Sequence, residues 1–203
     1  MKLTIWTRAK YRFAAMMFIA FTNWCAFLAF AFWTQLYYQN YLRLTAMQTV
    51  VRLLPMFVSG FLCNVFVGVM ASKIPIVYLV AGGSLATSTA ALLFALIDPS
   101  TTYWAFSFSA FAISVMGADL VFSAGTLFIA KFALPHEQSV AGALFNTMTQ
   151  VGTAVGVTVT TVVFNSVATK LKPGDDPLRM YHAAQWTCFA FGIIGEFDLN
   201  LYL

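Results

Sequence analysis

The sequence predicts an all-α, polytopic membrane protein with about six transmembrane helices, the last of them short or truncated. Hydrophobic residues make up 61% of the chain and charged residues only 9%, against roughly 45–50% and about 25% in soluble domains. The mean hydropathy is +0.80. The charges also cluster between long uncharged runs. A soluble fold of this length has no interior for so much apolar surface, so we expect residues 1–203 to form a single membrane domain in a lipid bilayer.

The first three predicted helices cover residues 14–37, 50–71 and 76–97, each long enough to cross the hydrocarbon, which takes about 20 residues. The first run exceeds the roughly 7–15 apolar residues of a cleaved signal peptide, which favours an uncleaved signal-anchor helix. Arg52 lies near the start of the second run, where its head group can extend toward the interface. The third run ends at Asp98, followed by Pro99.

The last three predicted helices cover residues 103–130, 140–167 and 183–195. The polar segment "KLKPGDDPLR", with its Pro-Gly turn, separates the fifth from the sixth. Glu196 and Asp198 interrupt the sixth apolar run early. We therefore expect the sixth helix to be short.

The basic residues at the start of the chain predict its orientation. Lys2, Arg8, Lys10 and Arg12 precede the first helix, and short loops rich in Lys and Arg stay in the cytoplasm. The N-terminus is therefore predicted to be cytoplasmic, with Lys73 on the same side.

Asp119 is the most informative residue, because it lies well inside the predicted fourth helix, in "GADLVFSAGTLFIA". It stands about 24 Å along the helix from Tyr103 and about 18 Å from Lys131. Ser123 and Thr126 follow on the same helical face. An acid at this depth usually faces the protein interior or water and marks a functional path. Asp119 is therefore our proton-coupling candidate, although a carboxyl that merely joins two helices is also compatible with the pattern.

Small and polar residues recur at helical spacing on the second and fifth helices. Such stripes let helix backbones approach closely, and we expect this packing role for Gly60, Gly68, Gly142, Gly152 and Gly156. Asn64, Asn146 and Gln150 lie on or beside these stripes, where they either contact a solute or bridge helices. Trp24 belongs to an aromatic-rich first helix, which either lines a pocket for apolar solutes or contacts lipid.

The remaining residue types point to no catalysis. Cys25, Cys63 and Cys188 lie in apolar runs without metal-ligand spacing, and we see no phosphate-binding loop or nucleophile motif. We therefore predict no enzyme activity, no metal and no cofactor. The net charge of +4 suits the inner face of a membrane and gives no reason to expect nucleic acid as a partner.

Three segments resemble the C-terminal half of fungal major facilitator superfamily transporters, in particular the 14-spanner drug:proton antiporters with their aminotriazole-resistance-like members. They are "LLPMFVSGFLCNVFVG" at 53–68, "GADLVF" at 117–122 and "LPHEQSVAGALFNTMTQVGTAVG" at 134–156. The resemblance runs from about residue 10 to 194. It implies one half of a major facilitator fold, proton-coupled efflux of a small solute, and a plasma or vacuolar membrane. The acid that this family carries in the corresponding helix would match Asp119.

The solute path of this superfamily lies between two halves, so the resemblance also implies that a second half is needed, either a missing N-terminal half or another chain. The side chains that we expect near such a path are Trp24, Asn64, Ser123, Thr126, Asn146 and Gln150. Two alternatives stay open: a truncated transporter fragment with no transport activity of its own, and a membrane partner that modulates a complete transporter.

Overall fold

The computed structural model describes residues 12–70, 73–99, 103–104 and 106–202, and side chains as far as residue 197. The described residues form six α-helices, which confirms the predicted fold class. Lys2, Arg8 and Lys10, on which the predicted orientation depends, lie outside the described residues. The helices are α1 (Arg12–Leu36), α2 (Ala46–Met70), α3 (Ile76–Ala95), α4 (Ser107–Phe132), α5 (Gln138–Ala168) and α6 (Leu178–Tyr202), and a π-helical turn, Tyr37–Tyr41, continues α1.

Five of the described helices are long and apolar enough to cross a membrane, namely α1 with its π-helical turn and α2 to α5. The sixth differs from the prediction in length: α6 has 25 residues, where the sequence predicted only 183–195. Glu196 and Asp198 interrupt the apolar run but not the helix, because a charged side chain leaves the backbone hydrogen bonds of a helix intact. The predicted boundary is corrected accordingly.

Two hydrophobic clusters fill opposite ends of the bundle. One joins the start of α1 to the start of α3 and the end of α4, through residues such as Met16, Leu79 and Phe128. The other joins the end of α1 to the end of α3 and the start of α4, through residues such as Phe30 and Phe94. Successive helices therefore run in alternating directions, as a chain that repeatedly crosses a bilayer requires.

Helix packing relates the first three helices to the last three. α1 packs against α5 and α6, while α4 packs against α2 and α3, and α3 packs against α6. Exchanging α1 to α3 with α4 to α6 maps the α1–α5 contact onto the α2–α4 contact and the α1–α6 contact onto the α3–α4 contact. The same exchange maps the α3–α6 contact onto itself. The arrangement leaves α2 and α5 at the margins: the most apolar stretch of α1 is 67% buried, but those of α2 and α5 are only 22% and 17% buried.

Glycines permit a close crossing between α1 and α5. A Cβ atom at Gly156 would lie 2.5 Å from the Cα of Cys25, and one at Gly152 would collide with the backbone oxygen of Phe21. A Cβ atom at Gly60 of α2 would lie 2.8 Å from Cγ1 of Val115 on α4. These three glycines lie at close helix contacts, whereas Gly68 and Gly142 face open space among the described residues. The packing role predicted for Gly68 and Gly142 therefore stays a prediction, since a Cβ atom at either position meets nothing within 4 Å in this part of the chain.

Candidate functional site

The acid in the middle of α4 forms a hydrogen bond with an amide on α2. Nδ2 of Asn64 lies 2.9 Å from Oδ2 of Asp119 and 2.9 Å from the backbone oxygen of Gly60. A side-chain amide carries two N–H groups, so it can donate to both oxygens at once. Gly60 permits the close approach of α2 to α4 at this level, because a Cβ atom there would lie 2.8 Å from Cγ1 of Val115. Sequence spacing predicted both side chains as candidates, and the fold brings them together.

Aromatic rings connect this pair to two further helices. The ring of Phe122, one turn after Asp119 on α4, lies 5.6 Å from the ring of Trp24 on α1 and 5.6 Å from that of Phe145 on α5. Sequence analysis selected Trp24 but missed Phe122 and Phe145. The sequence did contain a signal for Phe122. It lies three residues after Asp119, and this spacing places the two side chains on one face of the helix.

We call the surface formed by Trp24, Asn64, Asp119 and Phe122 the open face. Asn64 is exposed, Asp119 is half-buried, and Phe122 is 42% exposed. Hydrocarbon cannot solvate an amide or a carboxylate, and each such group left without partners in lipid costs several kcal/mol. The open face therefore requires contact with water or with another protein segment when the chain is in a membrane.

Four other predicted side chains lie on α4 and α5. Ser123 is half-buried on α4, and Thr126 is exposed, with its hydroxyl donating to the backbone oxygen of Ser123 at 2.8 Å. Asn146 and Gln150 are both exposed on α5. Among the described residues, none of these four side chains is hydrogen-bonded to Asp119.

Buried polar side chains inside the bundle form a second set of contacts, which the sequence analysis did not single out. Asn23 of α1 donates to the hydroxyl of Thr87 on α3 at 3.1 Å, and Gln185 of α6 donates to Thr34 of α1 at 3.2 Å. All four side chains are at most 2% exposed. Because they lie between packed helices, we interpret them as interhelical links and not as part of a solute site.

Nothing in the described residues suggests a metal centre. No group of three or more His, Cys, Asp or Glu side chains is placed to hold an ion among them. Cys25, Cys63 and Cys188 are buried and unpaired with one another. The chemistry that this region offers is therefore that of one carboxyl, one amide and the surrounding aromatic rings.

Comparison with known proteins agrees with this architecture. The family model for the Major Facilitator Superfamily matches residues 2–157. The chain is 32% identical over 165 residues to an MFS-type transporter of Pyricularia oryzae, and this match covers 81% of the chain and 26% of the relative. It is 24% identical over 181 residues to a low affinity ammonium transporter of Saccharomyces cerevisiae, with coverage of 89% and 34%.

A third relative, the efflux pump terJ of Aspergillus terreus, is 25% identical over 163 residues, which cover 80% of the chain and 31% of the pump. The matches thus span only about a quarter to a third of the length of these relatives. The family model, however, covers most of the chain, and five described helices are suited to crossing a bilayer. The chain is therefore a multi-pass membrane protein that belongs to the Major Facilitator Superfamily.

Proposed function

We propose that the chain forms one half of a proton-coupled secondary transporter that exports a small solute, and that Asp119 carries the coupled proton. The observation that supports this proposal best is the hydrogen bond of 2.9 Å between Asn64 and Asp119. It puts a titratable group and a neutral polar partner together on the open face of a membrane protein. Intramembrane acids in such positions commonly take part in proton relays.

The depth of Asp119 agrees with this role. It stands about 18 Å along α4 from Ser107 and about 20 Å from Phe132, so it lies close to the middle of the helix. Secondary transporters bind substrates and coupling ions near the bilayer midplane. A carboxyl at this depth exchanges protons only through water or a bound solute. This dependence is what couples proton movement to solute movement.

The acid–amide pair also offers two hydrogen-bonding states. An ionised carboxylate only accepts hydrogen bonds, as Asp119 does from Asn64, whereas a protonated carboxyl can also donate. A protonated Asp119 could therefore donate to the amide oxygen of Asn64 after a side-chain flip. Proton binding would thus change the contact between α2 and α4.

The solute class follows from the side chains around the acid. Trp24 and Phe122 offer aromatic surface beside a group that is negative when ionised. This combination suits a small organic solute, or an amine that pairs with the carboxylate. Two relatives, a low affinity ammonium transporter and an efflux pump, support small solutes in general.

The proposal requires a second half, supplied by a longer form of the polypeptide or by another chain. The open face and the exposed sides of α2 and α5 are where such a half would pack, since the solute path of these transporters lies between two halves. We further propose a plasma or vacuolar membrane with the N-terminus in the cytoplasm, which agrees with the basic residues at the start of the chain.

The test uses a chimera in which the chain replaces the matching segment of the Pyricularia oryzae relative. The chimera is reconstituted into proteoliposomes. A proton gradient is imposed, and proton release is followed with a lumenal pH dye while methylammonium or ethidium is added. We expect Asp119→Asn to abolish solute-dependent proton movement. Asp175→Asn, in an exposed loop, is the matched control and should keep it. Unchanged flux in the Asp119→Asn variant would contradict the proposal.

A second candidate is a membrane protein without transport activity of its own, either a fragment or a partner that modulates a complete transporter. The low burial of α2 and α5 is equally compatible with it, because these faces need a neighbour whether or not transport occurs. This candidate predicts no flux through the chain itself, whichever residue occupies position 119. Flux that requires both the second half and Asp119 would exclude it.

A further inference from the structure

A basic cavity lies at the end of the bundle where α1 begins, and its Lys131 stands about 18 Å along α4 from Asp119. It has a volume of about 630 Å³ and is lined by Lys73, Lys131 and five uncharged residues, which are Ile74, Pro75, Ile76, Leu127 and Ala130. From this cavity we propose a binding site for the headgroup of an anionic phospholipid, held between the two lysines.

The position of the cavity corresponds to the headgroup layer. α2 ends at Met70, α3 begins at Ile76 and α4 ends at Phe132, so three spanning helices terminate around it. The ends of spanning helices lie at the boundary between hydrocarbon and water. A lipid phosphate in the adjacent leaflet therefore reaches this depth without leaving the membrane.

The charge of the cavity is favourable for an anion. Lys73 and Lys131 are both exposed, and none of the described lining residues is acidic. The ammonium group of Lys131 lies 5.9 Å from the centre of the Phe132 ring. With the proposed cytoplasmic N-terminus, the cavity faces the cytoplasmic leaflet, where basic pockets between transmembrane helices bind anionic headgroups.

The start of α3 adds to this charge. Pro75 occupies the N-cap position without a side-chain hydrogen bond, because proline has no side-chain acceptor. The side chain of Pro75 therefore caps none of the N–H groups of the first helical turn, and its backbone oxygen accepts from the N–H of Tyr78 at 3.0 Å. The N-terminus of a helix carries about half a positive charge. An anion between the lysines benefits from both sources.

The uncharged side chains favour a lipid over a free phosphate ion. Leu127 lies four residues before Lys131, about 6 Å deeper along α4, and Ile74 and Ile76 line the cavity from α3 and the preceding loop. These side chains provide an apolar surface on which an acyl chain can lie below the headgroup. A cavity of about 630 Å³ is also far larger than a bare phosphate ion fills.

The test titrates the detergent-solubilised chain with dioleoylphosphatidylserine and counts the bound lipid by native mass spectrometry. Surface basic residues contribute about 1 kcal/mol each to anionic-lipid binding, so Lys73→Gln and Lys131→Gln should each weaken binding about fivefold. The double variant should weaken it about 25-fold. The charge-preserving pair Lys73→Arg with Lys131→Arg should restore most of the affinity.

Two controls separate this site from general attraction. Lys170→Gln with Lys172→Gln removes two exposed lysines from the opposite end of the bundle and should leave binding unchanged. Dioleoylphosphatidylcholine, with no net charge, should bind more weakly than phosphatidylserine, and inorganic phosphate should not displace the lipid. Equal losses in both double variants, equal binding of the two lipids, or displacement by inorganic phosphate would each overturn the proposal.

Discussion

The side-chain amide of Asn64 on α2 donates a hydrogen bond of 2.9 Å to the carboxylate of Asp119 on α4. The two residues are separated by 55 positions in the chain, so only the packing of α2 against α4 brings them together. α2 has few other contacts within the bundle, since most of its surface is exposed. This bond is therefore one of the few polar links that hold α2 in place.

Replacing Asn64 with alanine should destabilise the chain by about 0.6 kcal/mol and by no more than about 1.7 kcal/mol, the range measured for interhelical hydrogen bonds in membranes. Unfolding in a titration with sodium dodecyl sulfate, followed by circular dichroism, measures the change. Asn165→Ala is the matched control, because Asn165 is an exposed asparagine on α5. Equal losses in both variants would show that the bond to Asp119 contributes nothing.

Asp119→Asn should leave the fold nearly unchanged, because an asparagine at position 119 keeps one carbonyl oxygen that can accept from Asn64. The same titration should give a smaller loss than Asn64→Ala. This comparison decides whether a transport defect in Asp119→Asn reflects lost proton binding or lost structure. A collapse of the helical signal in Asp119→Asn would attribute the defect to structure.

Gly156→Ala should destabilise the chain by about 1–3 kcal/mol, the usual cost of overpacking a tight contact. The new methyl group would lie 2.5 Å from the Cα of Cys25, and a backbone cannot move aside as a flexible side chain can. Gly142→Ala is the control on the same helix, where a Cβ atom meets open space. It should be neutral or stabilising by up to about 1 kcal/mol, because alanine is the better helix former. The reverse ranking in a detergent-unfolding titration would contradict the observed α1–α5 crossing.

The sequence was sufficient for the fold class because hydropathy alone identifies spanning helices: the bilayer forces each crossing to be long, apolar and helical. It was less informative on α6, since Glu196 and Asp198 end an apolar run without ending a helix. It also selected Asp119, because an acid inside an apolar run stands out without any knowledge of its neighbours.

Partners across helices could not be predicted in the same way. Gly142 and Gly156 share a stripe on α5, yet only Gly156 meets a neighbouring backbone, because spacing defines a face of a helix but not the point where another helix crosses it. For the same reason the contact of Phe122 with Trp24 became visible only in the folded chain.

Thr160→Val should destabilise the chain by about 1–3 kcal/mol, the cost of leaving a buried donor without a partner. Nε1 of Trp33 donates to the hydroxyl of Thr160 at 2.8 Å, and both side chains are buried, at 4% and 0% exposure. Valine has nearly the same shape, so the change removes the acceptor without opening a cavity. Thr158→Val, on the exposed side of α5, is the matched control and should be close to neutral. Equal stability of the two variants in thermal unfolding would rule out a contribution from the indole bond.

Arg52 lies about 9 Å into α2, with its guanidinium 5.3 Å from the ring centre of Tyr38 and 5.7 Å from that of Tyr103. Such cation–π contacts contribute about 0.5–2 kcal/mol, depending on how far the charge is desolvated. Arg52→Gln should therefore lower the free energy of unfolding by about 1–2 kcal/mol, and Arg52→Lys by less, since lysine keeps the charge.

A double-mutant cycle with Tyr103 isolates this contribution. The Tyr103 hydroxyl donates to the backbone oxygen of Arg52 at 2.6 Å, so Tyr103→Phe removes that bond but keeps the ring. The loss caused by Arg52→Gln should stay the same in the Tyr103→Phe background and shrink in the Tyr103→Leu background, because only leucine removes the ring. If the loss is identical in all three backgrounds, the arginine stabilises the chain without the Tyr103 ring, and its contact with that ring adds nothing measurable.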